Sequence, residues 1–391
     1  MPLINHAGGG GGTPQLCSQV ENFKVIPGST ALSARLSWEA PTVDEDSSFV
    51  GVRIVRKAGS APEKVSDGTV VYEGTALTYT DTGLTAGTTY YYRAFAYNAK
   101  KKYQTARRVV SYVAINYDTT LENNSWATIH ELSQKGYAQS IWSVGDTKSV
   151  ILNGTVRCRV GTSSSSSTTD YMIPYTNATI DAFILGFNHN AENEGNNLIH
   201  FMLGKKNGKE TALCSCSFGS GSYPRWKNET SRTITLGGGS TPSEPAENSL
   251  LAALPTDLRA VMQKVHKYYG YYDASESQIK VEFAEEYLSF PAVKEIKPNG
   301  WELELAEPYL KQYDYYKAGN RIRAEGSLGE AGEFADSDRI EYHTRSSGLI
   351  GSGSDRLKHY LYILPRYSTN DSDVWYDELT RRCNIRPIFF V

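Results

Sequence analysis

The sequence predicts two folds in series, an N-terminal all-β sandwich and a C-terminal α+β domain. Residues 84–97 carry the clearest strand signal, because a turn at Gly87 is followed by residues that would point alternately to opposite faces of a sheet. Upstream, short strands recur at intervals of roughly ten residues, which is typical of a sandwich. After Tyr117 this spacing stops and a capped helix follows, which indicates a second fold.

The first predicted domain covers residues 21–117 and contains about seven short strands. Tyr90 begins the strand after the turn, where a β-sandwich closes its corner with a tyrosine hydroxyl bonded to upstream backbone. Trp38 and Tyr90 are the expected large anchors of the core. Residues 1–20, which include five consecutive glycines, predict a flexible arm. The strands are predicted at 23–26, 34–38, 50–56, 70–72, from residue 90 onward and at 108–114.

Two motifs identify this domain more closely. Leu-Ser-Trp-Glu-Ala-Pro at residues 36–41 and Leu-x-x-Gly-x-x-Tyr at residues 84–90 resemble the hallmarks of the fibronectin type III family. The resemblance implies an immunoglobulin-like sandwich of antiparallel strands. Domains of this family usually act as adhesive spacers and seldom as catalysts, so we expect the functional site to lie beyond Tyr117.

The second predicted domain covers residues 118–391 and mixes helices with strands. Ser125 predicts the N-cap of a short helix that Gly136 would end. Another helix is predicted at about 255–269, with Thr256 as its cap. Apolar strands are predicted at 182–187, 198–203, 361–364 and 388–391, and a linker or long loop at 237–247. The last strand is expected to pair into a sheet beside the start of its domain.

Five segments of the second half, in this order, resemble a family of phage proteins. They are Trp-Ala-Thr-Ile-His-Glu-Leu-Ser at 126–133, Trp-Ser-Val-Gly-Asp-Thr-Lys at 142–148, Ala-Phe-Ile-Leu-Gly-Phe at 182–187, Leu-Pro-Thr-Asp-Leu-Arg at 254–259 and Asn-Ile-Arg-Pro-Ile-Phe at 384–389. The family is widespread in tail and surface proteins of bacteriophages and prophages of Gram-positive gut bacteria. The resemblance implies a C-type-lectin-like α+β fold over residues 120–391. The related formylglycine-generating enzyme has an active-site cysteine pair with no counterpart here, so its activity is not implied.

Charge and composition restrict the partners. The formal net charge of −3 and a pI of about 6.2 argue against nucleic acid and anionic membranes. The first residues resemble no signal peptide, and no run approaches the roughly 20 apolar residues of a membrane span. Five cysteines at irregular spacing argue against a disulfide-stapled secreted fold. Together these features predict folding in a reducing cytoplasm and no membrane insertion.

Aromatic clusters in the second half are the strongest candidates for a ligand-binding surface, because exposed tyrosines supply rigid, amphipathic contact area. The alternative is that most of these rings pack in the core or at a subunit interface, since a homo-oligomer is expected in a symmetric particle. The candidates are Tyr268, Tyr269, Tyr271, Tyr272, Trp301, Tyr313, Tyr315, Tyr316 and Trp375.

The sequence predicts no catalytic residues, no metal and no cofactor. Asp371 and Asp373 are weak Ca²⁺ candidates, although an exposed acidic loop explains the same pattern. His189 and His200 bracket an acidic loop that could bind a divalent ion, but their spacing fits no standard ligand set, which favours a polar loop between buried strands. The segment Cys214-Ser-Cys216 is expected to hold buried thiols instead of half a metal site.

These observations predict a non-enzymatic structural protein of a tailed bacteriophage virion, such as a tail fibre, tail tip or surface-exposed receptor- or glycan-binding protein. The arm and the sandwich would contact other virion proteins, and the second half would bind a bacterial surface glycan or protein. One alternative is a purely architectural capsid-decoration or tail component without its own ligand. Another is a cell-wall-degrading hydrolase that uses a carboxylate pair such as Glu285 with Glu286 or Glu302 with Glu304.

Overall fold

The computed structural model describes residues 18–42, 49–104, 108–162, 165–217, 231–273, 275–276, 278–296, 307–320, 342–348, 359–365, 372–377 and 382–391. Backbone contacts divide the chain into two compact units between Thr119 and Thr120. Unit 1 precedes this boundary and unit 2 follows it. The predicted arm at residues 1–20 lies almost entirely outside the described ranges.

Within its described residues, unit 1 is an antiparallel sandwich of seven strands. They are β1 (Glu21–Pro27), β2 (Ala34–Glu39), β3 (Phe49–Ala58), β4 (Thr69–Gly74), β5 (Thr78–Asp81), β6 (Thr89–Asn98) and β7 (Val109–Val113). One sheet has the order β1-β2-β5 and the other has the order β4-β3-β6-β7. The all-β sandwich predicted for this part of the chain is confirmed.

Strand β6 shows how the local sequence produces this sandwich. Its alternation buries Tyr92 completely, and Trp38 on the facing sheet is 4% exposed and packs edge-on against Phe23. The backbone N–H of Thr85 donates a 3.1 Å hydrogen bond to the hydroxyl of Tyr90. The predicted tyrosine corner is therefore present, and it fixes the turn that leads into β6.

An ion pair links the two sheets of the sandwich. The guanidinium of Arg56 on β3 donates to both carboxylate oxygens of Asp81 on β5, each at 2.9 Å. The hydroxyl of Tyr92 on β6 donates to the same carboxylate at 2.9 Å. Burial raises the pKa of Tyr92, so the phenol stays protonated and remains a donor. Both carboxylate oxygens of Asp81 therefore accept hydrogen bonds.

Replacing Tyr90 by phenylalanine is expected to lower the free energy of unfolding of unit 1 by about 1 kcal/mol, because it removes one partly buried hydrogen bond and keeps the ring. Native-state hydrogen exchange of the β6 amides in the full chain measures this loss. Tyr91→Phe is the matched control, since Tyr91 lies on the opposite face of the same strand. Equal losses in both variants would contradict a specific role for the corner bond.

Unit 2 combines many strands with short helices. Its helices are α1 (Trp126–Gln134), α2 (Ala191–Glu194), α3 (Leu250–Ala253), α4 (Thr256–Arg259), α5 (Val293–Ile296) and α6 (Asp314–Lys317). Its strands are β8 (Thr147–Thr162), β9 (Ser165–Phe187), β10 (Ile199–Lys206), β11 (Lys209–Glu210), β12 (Cys214–Ser217), β13 (Val265–Asp273), β14 (Gln278–Glu286), β15 (Leu288–Ser289), β16 (Tyr342–Gly348), β17 (His359–Pro365), β18 (Ser372–Asp377), β19 (Arg382–Ile385) and β20 (Ile388–Phe390). Unit 2 is therefore β-rich. None of the helices in the described ranges is long and apolar enough to cross a membrane.

The described strands of unit 2 form three sheets. The central sheet has the order β15-β20-β10-β9-β8, with β11 added beside β10. A second sheet has the order β12-β19-β16-β17-β18, and β13 and β14 form a separate hairpin. Tyrosines, phenylalanines and aliphatic residues from β9, β10, β13, α5, α6 and β20 share one core, which includes Phe183, Met202, Val293, Tyr313 and Phe390.

The helix predicted after Ser125 and the pairing predicted for the chain end are confirmed. The Ser125 side chain accepts a 3.1 Å hydrogen bond from the N–H of Thr128 and caps α1. The last strand, β20, pairs antiparallel with β10. The indole of Trp126, at the start of α1, packs edge-on against Phe201 and Phe389. The end of the chain therefore closes against the first helix of its unit.

The helix predicted at 255–269 is wrong beyond its first turn. Helix α4 ends at Arg259, Pro255 and not Thr256 is its N-cap, and strand β13 begins at Val265. β13 pairs with β14 along its whole length, so cross-strand hydrogen bonds replace helical ones. The tyrosine-rich run that follows also favours a strand, because aromatic side chains fit a pleated surface. The segment 237–247 forms turns and bends, as a long loop does.

Candidate functional site

Strand β13 separates two kinds of side chain. Val265, Lys267 and Tyr269 are at most 2% exposed and point into unit 2. The intervening His266 and Tyr268 lie on the outer face of the β13–β14 hairpin and are half-exposed. Because neighbouring residues of a strand point to opposite faces, one short run of sequence supplies both a buried anchor and an outer surface.

Four rings form a continuous row on the outer face, which we call the aromatic ladder: His266, Phe283, Tyr268 and Tyr309. His266 stacks on Phe283 with ring centroids 4.3 Å apart. Phe283 faces Tyr268 directly across the hairpin at 5.6 Å. Tyr268 stacks almost parallel on Tyr309 at 4.6 Å. Phe283 is 41% exposed and Tyr309 is 37% exposed, so the ladder is an apolar surface open to solvent.

Charged side chains border the ladder at one end. The ammonium of Lys264 donates a 2.6 Å hydrogen bond to Glu285, which also lies 3.5 Å from the ring of His266. The hydrogen bond from Lys264 lowers the pKa of Glu285, and the same bond raises the pKa of Lys264. Both groups therefore keep their charge over the physiological pH range and offer polar contacts next to the rings.

The carboxylate pair considered for a hydrolase does not converge. Glu285 lies on the outer face of β14, whereas Glu286 is 1% exposed and accepts a 2.5 Å hydrogen bond from Arg232. Neighbouring residues of a strand point to opposite faces, so these two carboxyl groups cannot flank one bond of a substrate. Glu302 and Glu304 lie outside the described residues.

A buried charged network holds the hairpin from its inner face. The Lys267 side chain is 0% exposed, and its ammonium donates to Glu194 at 2.7 Å, to Glu295 at 3.0 Å and to the hydroxyl of Tyr313 at 2.9 Å. Glu194 belongs to α2, Glu295 to α5, and Tyr313 immediately precedes α6. One lysine therefore ties three short helices to the strand that carries the ladder.

The same network contains His189 and His200, which were considered above as ligands of a divalent ion. Among the described residues, His189, Glu194 and Glu295 approach closely enough to suggest a metal site. However, the ammonium of Lys267 already bonds to both carboxylates, as a bound cation would. A divalent ion beside this ammonium would be repelled by it at low dielectric. We therefore interpret the cluster as a structural network whose cation is Lys267.

A second buried network surrounds Arg386. Its guanidinium donates to the carboxylate of Glu210 and, at 3.1 Å, to the carbonyl of Gly204. The hydroxyl of Tyr315 donates to the other oxygen of Glu210 at 2.7 Å. Burial raises the pKa of Tyr315 to about 12, so this phenol stays protonated as a donor. The network joins α6 to the segment between β19 and β20.

The structure corrects four of the nine predicted ligand-binding residues. Tyr269, Tyr313, Tyr315 and Tyr316 are 1%, 0%, 3% and 6% exposed, so they cannot form a contact surface. The prediction is wrong for these four, and the alternative of core packing is right. Long-range hydrogen bonds make this burial favourable, because each hydroxyl reaches a buried or half-buried partner.

The other predicted residues are distributed differently. Tyr268 lies in the ladder, whereas Tyr271 is half-exposed at the end of the inner face. Tyr272 lies on β13, and Trp375 and Asp373 lie on β18. For these three residues the structure describes only the backbone. Trp301 and Asp371 lie outside the described residues.

Sequence reasoning missed His266, Phe283 and Tyr309. The available signal was the alternation of Ile279, Val281 and Phe283 with polar residues on β14, which indicates one apolar face. That pattern does not reveal which strand it faces. The register that sets Phe283 against Tyr268 appears only once the hairpin is formed.

A groove lined by both polar and apolar residues is a second candidate surface in unit 2. It encloses about 560 Å³ between α1, the β8–β9 hairpin and the turns around α3 and α4. Lys148, Ile151, Asn153, Asn177 and Arg259 are among its lining residues. Desolvation lowers the pKa of Lys148, whose ammonium donates to the carbonyl of Glu122 at 3.0 Å. The groove has a volume suited to a small ligand, but it lacks a row of exposed rings.

Comparisons with known proteins identify the N-terminal unit. Residues 18–111 match the family model of the fibronectin type III domain. The chain is similar to the sixth such domain of human fibronectin type III domain containing protein 3, at 22% identity and a TM-score of 0.22, covering 27% of this chain and 91% of that one. It is also similar to the FN5 domain of Drosophila Lar, at 19% identity and a TM-score of 0.19, covering 25% and 98%. A search of curated proteins finds no match.

Proposed function

We propose that this chain is a structural and binding protein in which the fibronectin type III domain acts as a spacer and unit 2 carries the recognition surface. The aromatic ladder carries this proposal. Rings stacked in a row expose their edges and the faces at the two ends of the row, and these offer apolar contacts to the C–H groups of a sugar ring or to apolar side chains of a protein. The neighbouring Lys264 and Glu285 add polar contacts at the rim, as binding interfaces usually do.

We propose the virion of a tailed phage as the setting, with the chain at a tail tip, a fibre or another exposed position. The resemblance of the segments at 126–133 and 142–148 to phage tail and surface proteins supports it. The C-type-lectin-like family type of unit 2 belongs to the same proposal. The ligand would be a glycan or protein of the bacterial surface. Repeated copies in a homo-oligomer would raise its avidity.

The buried networks favour binding over hydrolysis. In the described part of the chain, the convergent carboxylates of Glu194 and Glu295 are 5% and 0% exposed and are occupied by Lys267. A glycosidase needs two carboxyl groups that flank a bond of its substrate in an accessible cleft. Zymography on host cell walls tests this point. Clearing by the purified full chain would favour the hydrolase alternative.

Truncating the exposed rings of the ladder is expected to weaken binding of the full chain to purified Gram-positive cell walls and whole host cells by about tenfold per ring. Phe283→Ala and Tyr309→Ala are suitable because both side chains are more than one third exposed, so folding should be little affected. Co-sedimentation and surface plasmon resonance measure the change in Kd.

Two controls locate the binding surface. Met172→Ala removes an apolar side chain that is 49% exposed elsewhere in unit 2, and it should leave Kd unchanged. Arg259→Ala alters the groove beside α1. If this variant loses binding while the ladder variants keep the Kd of the unaltered chain, the groove and not the ladder is the binding site.

Two further results bear on the proposal as a whole. If the unaltered chain does not bind at micromolar concentration, the architectural alternative is favoured. If mass spectrometry does not find the protein in purified particles, the virion setting is contradicted.

A further inference from the structure

The cysteines of unit 2 lie in two facing pairs. Cys158 on β8 and Cys214 on β12 are both 0% exposed, and their Sγ atoms are 3.4 Å apart. Cys216 and Cys383 stand directly opposite each other in the antiparallel pairing of β12 with β19. The fifth cysteine, Cys17, lies outside the described residues. Each pair therefore includes one cysteine of strand β12, Cys214 in the first and Cys216 in the second.

Both pairs satisfy the spacing that a disulfide requires. The 3.4 Å between the sulfur atoms of Cys158 and Cys214 is a thiol contact, and bond formation shortens it to about 2.05 Å. Directly opposed residues of an antiparallel ladder have Cα atoms about 4.5–5.5 Å apart. A disulfide accepts Cα distances of about 4.4–6.8 Å, so the register of Cys216 and Cys383 fits as well.

We propose that unit 2 contains two oxidation sites, which form the disulfides Cys158–Cys214 and Cys216–Cys383 when the protein leaves a reducing compartment. The oxidant is a small disulfide such as glutathione disulfide. In a transiently opened form of unit 2 that exposes the thiols, one cysteine thiolate attacks it, forming a mixed disulfide and releasing one glutathione. The second cysteine then displaces the remaining glutathione. Two electrons and two protons pass to the oxidant for each bond, which leaves two glutathione thiols and one protein disulfide.

The two bonds would cross-link segments that are far apart in the sequence. Cys158–Cys214 connects the central sheet to the second sheet, because β8 belongs to one and β12 to the other. Cys216–Cys383 connects β12 to β19, the next-to-last strand of the chain. Closing long loops restricts the unfolded chain, so oxidation should make unit 2 harder to unfold. This inference does not depend on the proposed function.

A shared metal ion is the competing explanation for these four cysteines. In a tetrahedral zinc site with Zn–S bonds of about 2.3 Å, the sulfur atoms are about 3.8 Å apart. The 3.4 Å contact of Cys158 with Cys214 is shorter than that edge. The pairwise arrangement therefore favours disulfides.

The test uses the full chain, purified with reductant and then exposed to glutathione disulfide. After denaturation and maleimide labelling, the reduced chain should carry five labels and the oxidised chain one. Peptide mapping should show the Cys158–Cys214 and Cys216–Cys383 linkages within one chain, and reduction should reverse a rise in Tm. A linkage missing from the map overturns the assignment of that pair, and a stoichiometric zinc ion in the protein as purified overturns both.

Two variants separate the pairs. Cys158→Ala should remove the first linkage and keep the second, which leaves two labels after oxidation. Cys17→Ser is the matched control and should preserve both linkages. Scrambled bonds to Cys17 in the unaltered chain would contradict the pairing. The mapping of the unaltered chain decides the question even where a variant folds poorly.

Discussion

Replacing Lys267 by methionine is expected to lower the free energy of unfolding of unit 2 by about 3–5 kcal/mol. The substitution keeps the length of the side chain but removes the ammonium that bonds to Glu194, Glu295 and Tyr313. Two carboxylates that are at most 5% exposed would then share the core without their cation. Urea unfolding, with hydrogen exchange of the β13 amides as a local probe, measures the loss.

Two companion variants isolate the cause of this loss. Lys264→Met changes an exposed lysine of the same hairpin, whose pair with Glu285 is worth little, so stability should change by less than about 0.5 kcal/mol. Combining Lys267→Met with Glu194→Gln and Glu295→Gln neutralises the buried carboxylates and should recover part of the stability. If the triple variant is less stable than Lys267→Met alone, the uncompensated charges are not the cause.

Replacing Trp126 by alanine is expected to destabilise unit 2 by about 3–5 kcal/mol. The indole is 3% exposed and packs edge-on against Phe201 of β10 and Phe389 of β20, with ring centroids 5.5 Å and 5.8 Å away. Its removal leaves a cavity where the first helix, the central sheet and the end of the chain meet. Hydrogen exchange should show lost protection in both α1 and β20.

Trp126→Phe is the matched control, because it keeps an aromatic ring against the same two phenylalanines and should cost less than the alanine variant. Loss of protection confined to α1 in the alanine variant would contradict the view that Trp126 also holds the terminal strand. Equal losses in both variants would show that the indole's size, and not an aromatic contact alone, decides the stability.

The N-terminal sandwich was predictable because its signals are local. The turn before Tyr90 and the alternation of β6 lie within fourteen consecutive residues, and the corner bond joins residues five apart. Each strand also carries its own pattern of buried and exposed positions. A fold that is specified by such short-range rules can be recognised without knowing which strands pair.

The error at residues 255–269 has a different cause. Leu258, Met262 and Val265 fit a helical stripe, and all three are buried in the structure. Burial alone does not distinguish a helix from a strand when the apolar run is short. Pairing with β14 decides the conformation, and that partner lies further along the chain. Tertiary hydrogen bonding therefore overrode the local pattern.

The sequence alone predicts a fibronectin type III sandwich at residues 21–117, a capped helix after Ser125 and a paired strand at residues 388–391. It also predicted a recognition surface among aromatic residues that include Tyr268, with core or interface packing as the alternative. Which of these rings are exposed and which are buried depends on the tertiary structure. Tyr313 and Tyr315 are drawn into the core because their hydroxyls meet Lys267 and Glu210, which are distant in sequence. Burial of a polar aromatic residue depends on such partners, and they come together only on folding.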